Sequence, residues 1–258
     1  MGLLQDKVCV ITGAGSGVGR ATAQLFCDEG AKVIAADVND EWAQATVALV
    51  TEAGGAISAV HCDVSDEAEV EAAVAAAVDR FGRLDVMCNN AGVGTKKFGL
   101  RLVDHSAEDW SRLITINLMG TVYGCKHAVL QFERQGGGGA IVNTGSVGGM
   151  VAFGGVPYGV TKAGGLQLTR SLAVEVAAQG IRVNAFAPAS ILTNFSRGAD
   201  DAFKPWTKEE IDIYGSFVPT GKPSTAEDCA NAALFLASDM SGNVTGTVLP
   251  VDGGFLAR

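Results

Sequence analysis

Short apolar runs and longer amphipathic stretches alternate along the whole chain. The first two runs are Val8-Cys9-Val10-Ile11, within Lys7 to Thr12, and Val33-Ile34-Ala35-Ala36, within Lys32 to Asp37. Further runs lie at Ile57 to Cys62, Leu84 to Asn89, Ala140 to Thr144, Arg182 to Ala187 and Thr247 to Val251. Apolar runs of this length predict strands buried on both faces. Helical stretches separate them: one ending near Glu29, then Glu41 to Ala53, Glu67 to Phe81, a long one from a Ser106 cap to about Gln135, one carrying Tyr158 to about Gln179, and Thr225 to Ser238. Gly30, Gly54-Gly55, Gly82, the glycines at 136–139 and Gly180 follow directly, where helices stop. This alternation predicts an α/β architecture, a doubly wound parallel sheet of about seven strands with helices on both faces, as a single domain over residues 1–258.

Leu192 to Thr220 breaks the rhythm. It mixes charges with Phe195, Phe203, Pro205, Trp206, Tyr214 and Phe217 and shows no strand, so residues 192–220 are expected to form a flap near a pocket. The competing reading is a surface helical excursion with its aromatics turned inward.

Composition narrows the function classes. A net charge of −9 without a basic run argues against nucleic-acid and anionic-membrane partners. No C-x-x-C pair occurs among Cys9, Cys27, Cys62, Cys88, Cys125 and Cys229, which read as buried free thiols. His61, His105 and His127 have no ligand spacing, so no metal site is expected. The chain reaches its first strand by Lys7 with no charged-then-apolar leader and no run long enough to span a bilayer, and a cytoplasmic location is the default expectation.

Ligands of a doubly wound sheet sit at the carboxyl ends of its strands, and several chemically capable groups fall there. The turn Thr12-Gly13-Ala14-Gly15-Ser16-Gly17-Val18-Gly19 joins the first strand to the first helix, with spacing Gly13-x-x-x-Gly17-x-Gly19. Glycines let backbone approach a pyrophosphate, and the helix N-terminus offers free N–H groups. Asp37 ends the second strand; a carboxylate there accepts hydrogen bonds from ribose hydroxyls and repels a 2′-phosphate, which favours NAD over NADP. Asp63 also follows a strand, where contact with an adenine edge competes with helix capping. Tyr158 and Lys162 form an i, i+4 pair with Ser146 twelve residues upstream. An ammonium beside a phenol favours the phenolate, so the Tyr158 pKa is expected to fall and the phenol to act as a general acid or base.

Taken together, these motifs resemble the short-chain dehydrogenase/reductase family in its single-domain form, a Rossmann fold. The resemblance rests on the glycine turn, Asn89-Asn90-Ala91-Gly92, Asn117 within Ile116-Asn117-Leu118, Ser146, Tyr158-x-x-x-Lys162, Val183-Asn184-Ala185 with Pro188, and Val251-Asp252-Gly253-Gly254, and covers nearly the whole chain. It implies that Tyr158 exchanges the proton of the substrate alcohol as hydride passes to or from a nicotinamide. Lys162 would tune Tyr158 and hold the nicotinamide ribose, Ser146 would hold the reacting oxygen, and Asn117 would anchor a relay water. It further implies cofactor contacts from Gly13, Ser16, Gly17, Val18, Gly19, Asp37, Asp63, Val64, Asn89, Ala91, Gly92, Pro188, Ile191 and Thr193, with Asn89 also tying neighbouring strands. Two departures stand out: Pro188-Ala189 replaces the family's Pro-Gly, and the Ser146–Tyr158 spacing is twelve where thirteen is usual.

The function expected is therefore an NAD-dependent interconversion of a secondary alcohol and a ketone. The alternative is a non-catalytic NAD-binding or sensing protein on the same fold, disfavoured because Ser146, Tyr158, Lys162 and Asn117 are all present. About 65 residues after the sixth strand leave no room for the substrate domain of a sugar-nucleotide epimerase. Val147, Phe153, Val156, Phe195 and Trp206 suggest an apolar pocket wall suited to a hydroxysteroid, cyclic diol, terpenoid or 3-hydroxyacyl group. Leu113, Ile116, Val122 and Leu166 lie on two helices that the family uses for assembly, which points to a homotetramer.

Overall fold

The computed structural model describes residues 2–95, 99–196 and 204–258. Seven parallel strands form one sheet in the order β3-β2-β1-β4-β5-β6-β7. They are β1 (Val8–Thr12), β2 (Lys32–Asp37), β3 (Ala56–His61), β4 (Val86–Asn89), β5 (Gly139–Thr144), β6 (Ile181–Pro188) and β7 (Val248–Val251). The helices are α1 (Gly17–Asp28), α2 (Asp40–Glu52), α3 (Glu67–Phe81), α4 (Ala107–Leu113), α5 (Gly120–Gln135), α6 (Val156–Val176), α7 (Lys208–Gly215) and α8 (Ala226–Ala237). Successive side chains of a strand point to opposite faces, and here both faces are apolar. Cys9, Ile11, Val33 and Ala35 join one core cluster with Phe26 of α1 and Leu236 of α8. Val8, Val10, Ile34 and Ala36 join the other with Val74 of α3, Phe132 of α5 and Val176 of α6. Strand order reverses between β1 and β4, so a crevice opens at their carboxyl ends.

The long helix expected from Ser106 to Gln135 is interrupted. Ser106 and Asp109 close a capping box on α4, but residues Ile114–Met119 form a π-helical stretch before α5 begins. A π turn inserts one residue into the helix and shifts the side chains that follow, a change that hydrophobic spacing does not encode. The stretch contains Asn117.

The described parts of the 192–220 segment are helical and turn-like and contain no strand. Ile191 bridges to Ser224, α7 forms at Lys208–Gly215, and Trp206 packs edge to face on Tyr214 at 5.5 Å. Phe195 instead turns to the Tyr158 ring, with centroids 5.9 Å apart. Phe203 lies outside the described residues.

Candidate active site

The floor of the crevice is built from the β1 turn and the start of β4's exit loop. Gly13 has φ +66, and a Cβ there would sit 2.9 Å from the Ala91 Cα, so the two loops touch backbone to backbone. Gly19 lies so close to the Gly13 carbonyl oxygen that no side chain fits between them. The N–H groups of Ser16, Gly17 and Val18 have no acceptor among the described residues, as expected where α1 begins. The Val18 side chain packs against the core. The Ser16 hydroxyl accepts from Asn194 Nδ2 at 2.8 Å, and Thr193 lies beside Gly17. Asp37 is fixed at both oxygens, accepting from Gly15 N at 2.8 Å and Asn39 N at 2.9 Å.

Several expected contacts take a different form. The Asn89 side chain does not line the crevice. It is buried and donates to Asn143 Oδ1 at 2.9 Å, which ties β4 to β5; its Oδ1 faces Gly124 with no hydrogen-bond partner among the described residues. Its neighbour Asn90, on the other face, donates to Thr12 O at 3.0 Å and accepts from Thr144 Oγ1 at 3.3 Å, joining β1, β4 and β5. Asp63 does not cap α3: its Oδ1 accepts from Ser65 N at 2.9 Å, and Asp66 is the cap. The Val64 side chain is buried near Gly120, so only its backbone is free for the crevice. Pro188 ends β6, and Ile191 sits three residues later at the bridge to Ser224. Asp6 is the one non-glycine with positive φ among the described residues, so Ala189 replaces the family's glycine without backbone strain.

Ser146, Tyr158 and Lys162 converge where β5 meets α6. Ser146 Oγ accepts the Gly148 N–H at 3.1 Å, which leaves its proton for the Tyr158 oxygen, its hydrogen-bond partner. The short loop between them reaches because Gly154 and Gly155 adopt φ +80 and +92, and Gly154 lies against the Tyr158 ring. Lys162 Nζ is 5.9 Å from the Tyr158 ring centroid and donates to Thr144 O at 2.8 Å. Asn117 clamps Val93 with both side-chain atoms, accepting its N–H at 2.7 Å and donating to its C=O at 2.8 Å. Gly92 lies between Asn117 and Lys162: a Cβ there would be 3.3 Å from Asn117 Oδ1 and 3.6 Å from Lys162 Nζ.

The expected fall in the Tyr158 pKa is not found. Burial pushes the phenol up to about 12, with the Ser146 hydrogen bond opposing, and burial brings the Lys162 ammonium down to about 8. Burial penalises whichever form is charged, and it acts on both groups at once. Lys162 therefore loses its proton before Tyr158 can, and at neutral pH the pair rests as phenol and ammonium.

The residues expected to wall a pocket fall in different surroundings. Phe195 faces Tyr158 and Gly94, Phe153 packs on Phe255 with centroids 5.2 Å apart, and Val156 is exposed at the start of α6. Val147, by contrast, is fully buried, and Trp206 pairs with Tyr214.

A family model described as enoyl-(acyl carrier protein) reductase matches residues 13–256. The chain is 41% identical to a mitochondrial borneol dehydrogenase of Lavandula x intermedia, over 97% of this chain and 91% of that protein. The chain belongs to the short-chain dehydrogenase/reductase family. A D-threitol dehydrogenase of Mycolicibacterium smegmatis is 37% identical over 99% of this chain and 95% of its own. The crystal structure of a carveol dehydrogenase from Mycobacterium avium in complex with NAD superposes with a TM-score of 0.91, at 34% identity and covering 100% of both chains. Like these short-chain dehydrogenases, this protein is an oxidoreductase that interconverts alcohols and ketones with a nicotinamide dinucleotide.

The residues suit that cofactor. Unpaired N–H groups at the start of α1, a glycine where no Cβ fits and a fixed carboxylate at the end of β2 form a cradle for a pyrophosphate and a ribose. Four residues around the turn had no role assigned from the sequence: Gly15 and Asn90, which stand inside motifs, and Arg20 and Thr46, which hydrogen-bond the turn from behind. Gly15 had a signal, a third glycine inside the turn; its Cβ would meet Asp37 and Trp42 at 2.8 Å.

Proposed function

We propose that this enzyme oxidises an apolar or cyclic secondary alcohol to its ketone, or runs the reverse, with NAD preferred over NADP. The observation that carries the reading is the buried Ser146–Tyr158 hydrogen bond beside Lys162, at the carboxyl ends of β4 and β5. Two hydroxyls set at one point grip a carbonyl or alcohol oxygen, which supports alcohol chemistry over the carbon–carbon reduction named by the matching family model. The bound dinucleotide supplies the hydride acceptor or donor. Ser146 donates to the reacting oxygen and stabilises its developing charge. As the phenolate favoured by the Lys162 ammonium, Tyr158 takes the hydroxyl proton during oxidation; as the phenol it gives that proton to the reacting oxygen during reduction.

Lys162 holds the nicotinamide ribose. Thr144 O is its one acceptor among the described residues, so further N–H groups remain for ribose hydroxyls. Each added acceptor stabilises the ammonium, raises its pKa and strengthens the field that favours the Tyr158 phenolate. Asn117, clamped to Val93 within the π turn, anchors the water that returns protons to Lys162. Gly13, Ser16, Gly17, Val18, Gly19 and Asp37 bind the adenosine and pyrophosphate part; Asp63, Val64, Ala91 and Gly92 line its middle; Pro188, Ile191 and Thr193 hold the carboxamide end. Asp37 supports the NAD preference, because a 2′-phosphate would meet a carboxylate already fixed by two N–H groups.

Borneol and carveol, named for two relatives, support a cyclic terpenoid alcohol, as do Phe195 and Phe153 at the pocket. We place the enzyme in the cytoplasm, an assignment supported by six buried free thiols and the acidic net charge. Among the described residues no helix is long and apolar enough to cross a membrane. A homotetramer is supported by the exposed Val160 and Val174 on α6; Leu113 and Leu166, expected at interfaces, are instead buried within the protomer. A screen of secondary alcohols with NAD and NADP in parallel tests the function. Reduction of NAD by cyclic alcohols is expected, and no turnover of any alcohol by wild type would sink the reading.

A further inference from the structure

Two carbonyls of the glycine turn are held from behind, by side chains that the mechanism does not use. The fully buried Thr46 of α2 can donate its one hydroxyl proton to Ala14 O at 3.0 Å or to Trp42 O at 3.2 Å, and the Ala14 contact is the shorter. Arg20 of α1 donates one guanidinium nitrogen to Gly15 O and, at 3.4 Å, to Trp42 O, while its Nε donates to Thr46 Oγ1 at 3.0 Å. Arg20 and Thr46 thus form one connected unit under the turn.

Peptide planarity carries the consequence across the chain. In a trans peptide the C=O and N–H lie on opposite sides of one rigid plane. Holding Ala14 O aims the Gly15 N–H, which lands on Asp37 Oδ2 at 2.8 Å. Holding Gly15 O aims the Ser16 N–H, which is among those left without an acceptor at the start of α1. Without these anchors either plane is free to turn over. A carbonyl oxygen would then face an anionic pyrophosphate, and a donor would become a repulsive dipole end.

We propose that Arg20 and Thr46 are positioning residues of the dinucleotide site: Arg20 orients the Ser16 peptide for the pyrophosphate, and Thr46 keeps the Gly15 N–H on the Asp37 carboxylate. The proposal rests on the cofactor reading given above. It divides the labour of the two residues along the ligand, because Arg20 acts at the phosphates and Thr46 at the adenosine ribose. Simple bonding between α1 and α2 would weaken every ligand alike.

The test measures NADH binding by nicotinamide fluorescence, with ADP and adenosine as displacing ligands and the melting temperature recorded alongside. Arg20→Ala is expected to weaken NADH and ADP about tenfold and adenosine less than twofold, with Arg20→Lys recovering part of the loss. Thr46→Val is expected to weaken adenosine as well and to narrow the preference for NADH over NADPH, with Thr46→Ser restoring both. If Arg20→Ala does not fold, Arg20→Gln keeps a single donor and is expected to show the same selective loss at the phosphates. Equal weakening of NADH, ADP and adenosine by the Arg20 variants, or no change in any of them, overturns the proposal while leaving the cofactor reading intact. A wild type that binds neither NADH nor ADP overturns both.

Discussion

The phenol and the ammonium at the centre of the site are governed by burial before they are governed by each other. Tyr158→Phe removes the proton carrier while keeping the ring against Phe195. Turnover is expected to fall by at least about a thousandfold, near the upper range for a lost general acid–base group, with NADH affinity within twofold; retained turnover would refute the role. The buried ammonium also leaves a mark on stability. Lys162 sits at about 8 in the folded protein against an ordinary 10.5, so between these pH values the unfolded chain binds more protons. Stability therefore rises with pH across that window, by on the order of 3 kcal/mol for a group so fully buried. Tyr158 acts in the opposite sense and higher up: held at about 12, it contributes stability that is lost as pH climbs from about 10 towards that value. Urea unfolding of wild type and Lys162→Met in the cofactor-free state separates the first effect. Their difference in unfolding free energy should shift in favour of wild type from about pH 8 to 10, and a flat difference would contradict a buried, lowered ammonium.

Elements were legible in the chain wherever one physical rule decided them. The seven apolar runs became strands because the central ones are buried against helices on both faces, and their ends shifted by only a residue or two. The crevice followed from strand order. What stayed hidden depends on contacts between distant residues. Asn89 and Asn90 are neighbours with opposite fates, since alternation along β4 sends one side chain into the core and the other across the sheet top. Their spacing in the family motif cannot say which is which. The π turn at Ile114–Met119 and the Arg20–Thr46 unit were unreadable for the same reason. The packing of α5 on β4 gives a direct test. A Cβ at Gly124 would run into the Asn89 Oδ1, which is buried on a side chain held by its hydrogen bond to Asn143. Gly124→Ala should cost about 1–3 kcal/mol, the usual penalty for overpacking, and should outweigh the roughly 1 kcal/mol that alanine contributes over glycine inside a helix. A variant as stable as wild type in denaturant titration would mean that the helix shifts freely on the sheet.

At the scale of the whole molecule the unpartnered surface asks for an explanation that one chain does not supply. The sheet is flanked by helices, and part of the remaining apolar exposure lies on the outer side of α6. Val174 on α6 is 82% exposed, the highest among the large apolar side chains of the described residues, and Val160 is 50% exposed on the same helix. They stand fourteen residues apart, close to four helical turns, and so share one side of α6. Tyr158 and Lys162, on the same helix, are buried toward the sheet. A copy docked on the outer side of α6 would thus press on the helix that carries the acid–base pair, which gives assembly a route to activity. In the proposed homotetramer, solution scattering should report four times the 26.4 kDa protomer. Val174→Asp places a charge where two such faces would meet and should lower the assembled mass. Each protomer should keep its NADH affinity, because the substituted side chain points away from the crevice, while turnover falls if the docked copy braces α6. A Val174→Asp protein with wild-type mass would show that this face is not an interface, and a monomeric wild type would remove the tetramer altogether.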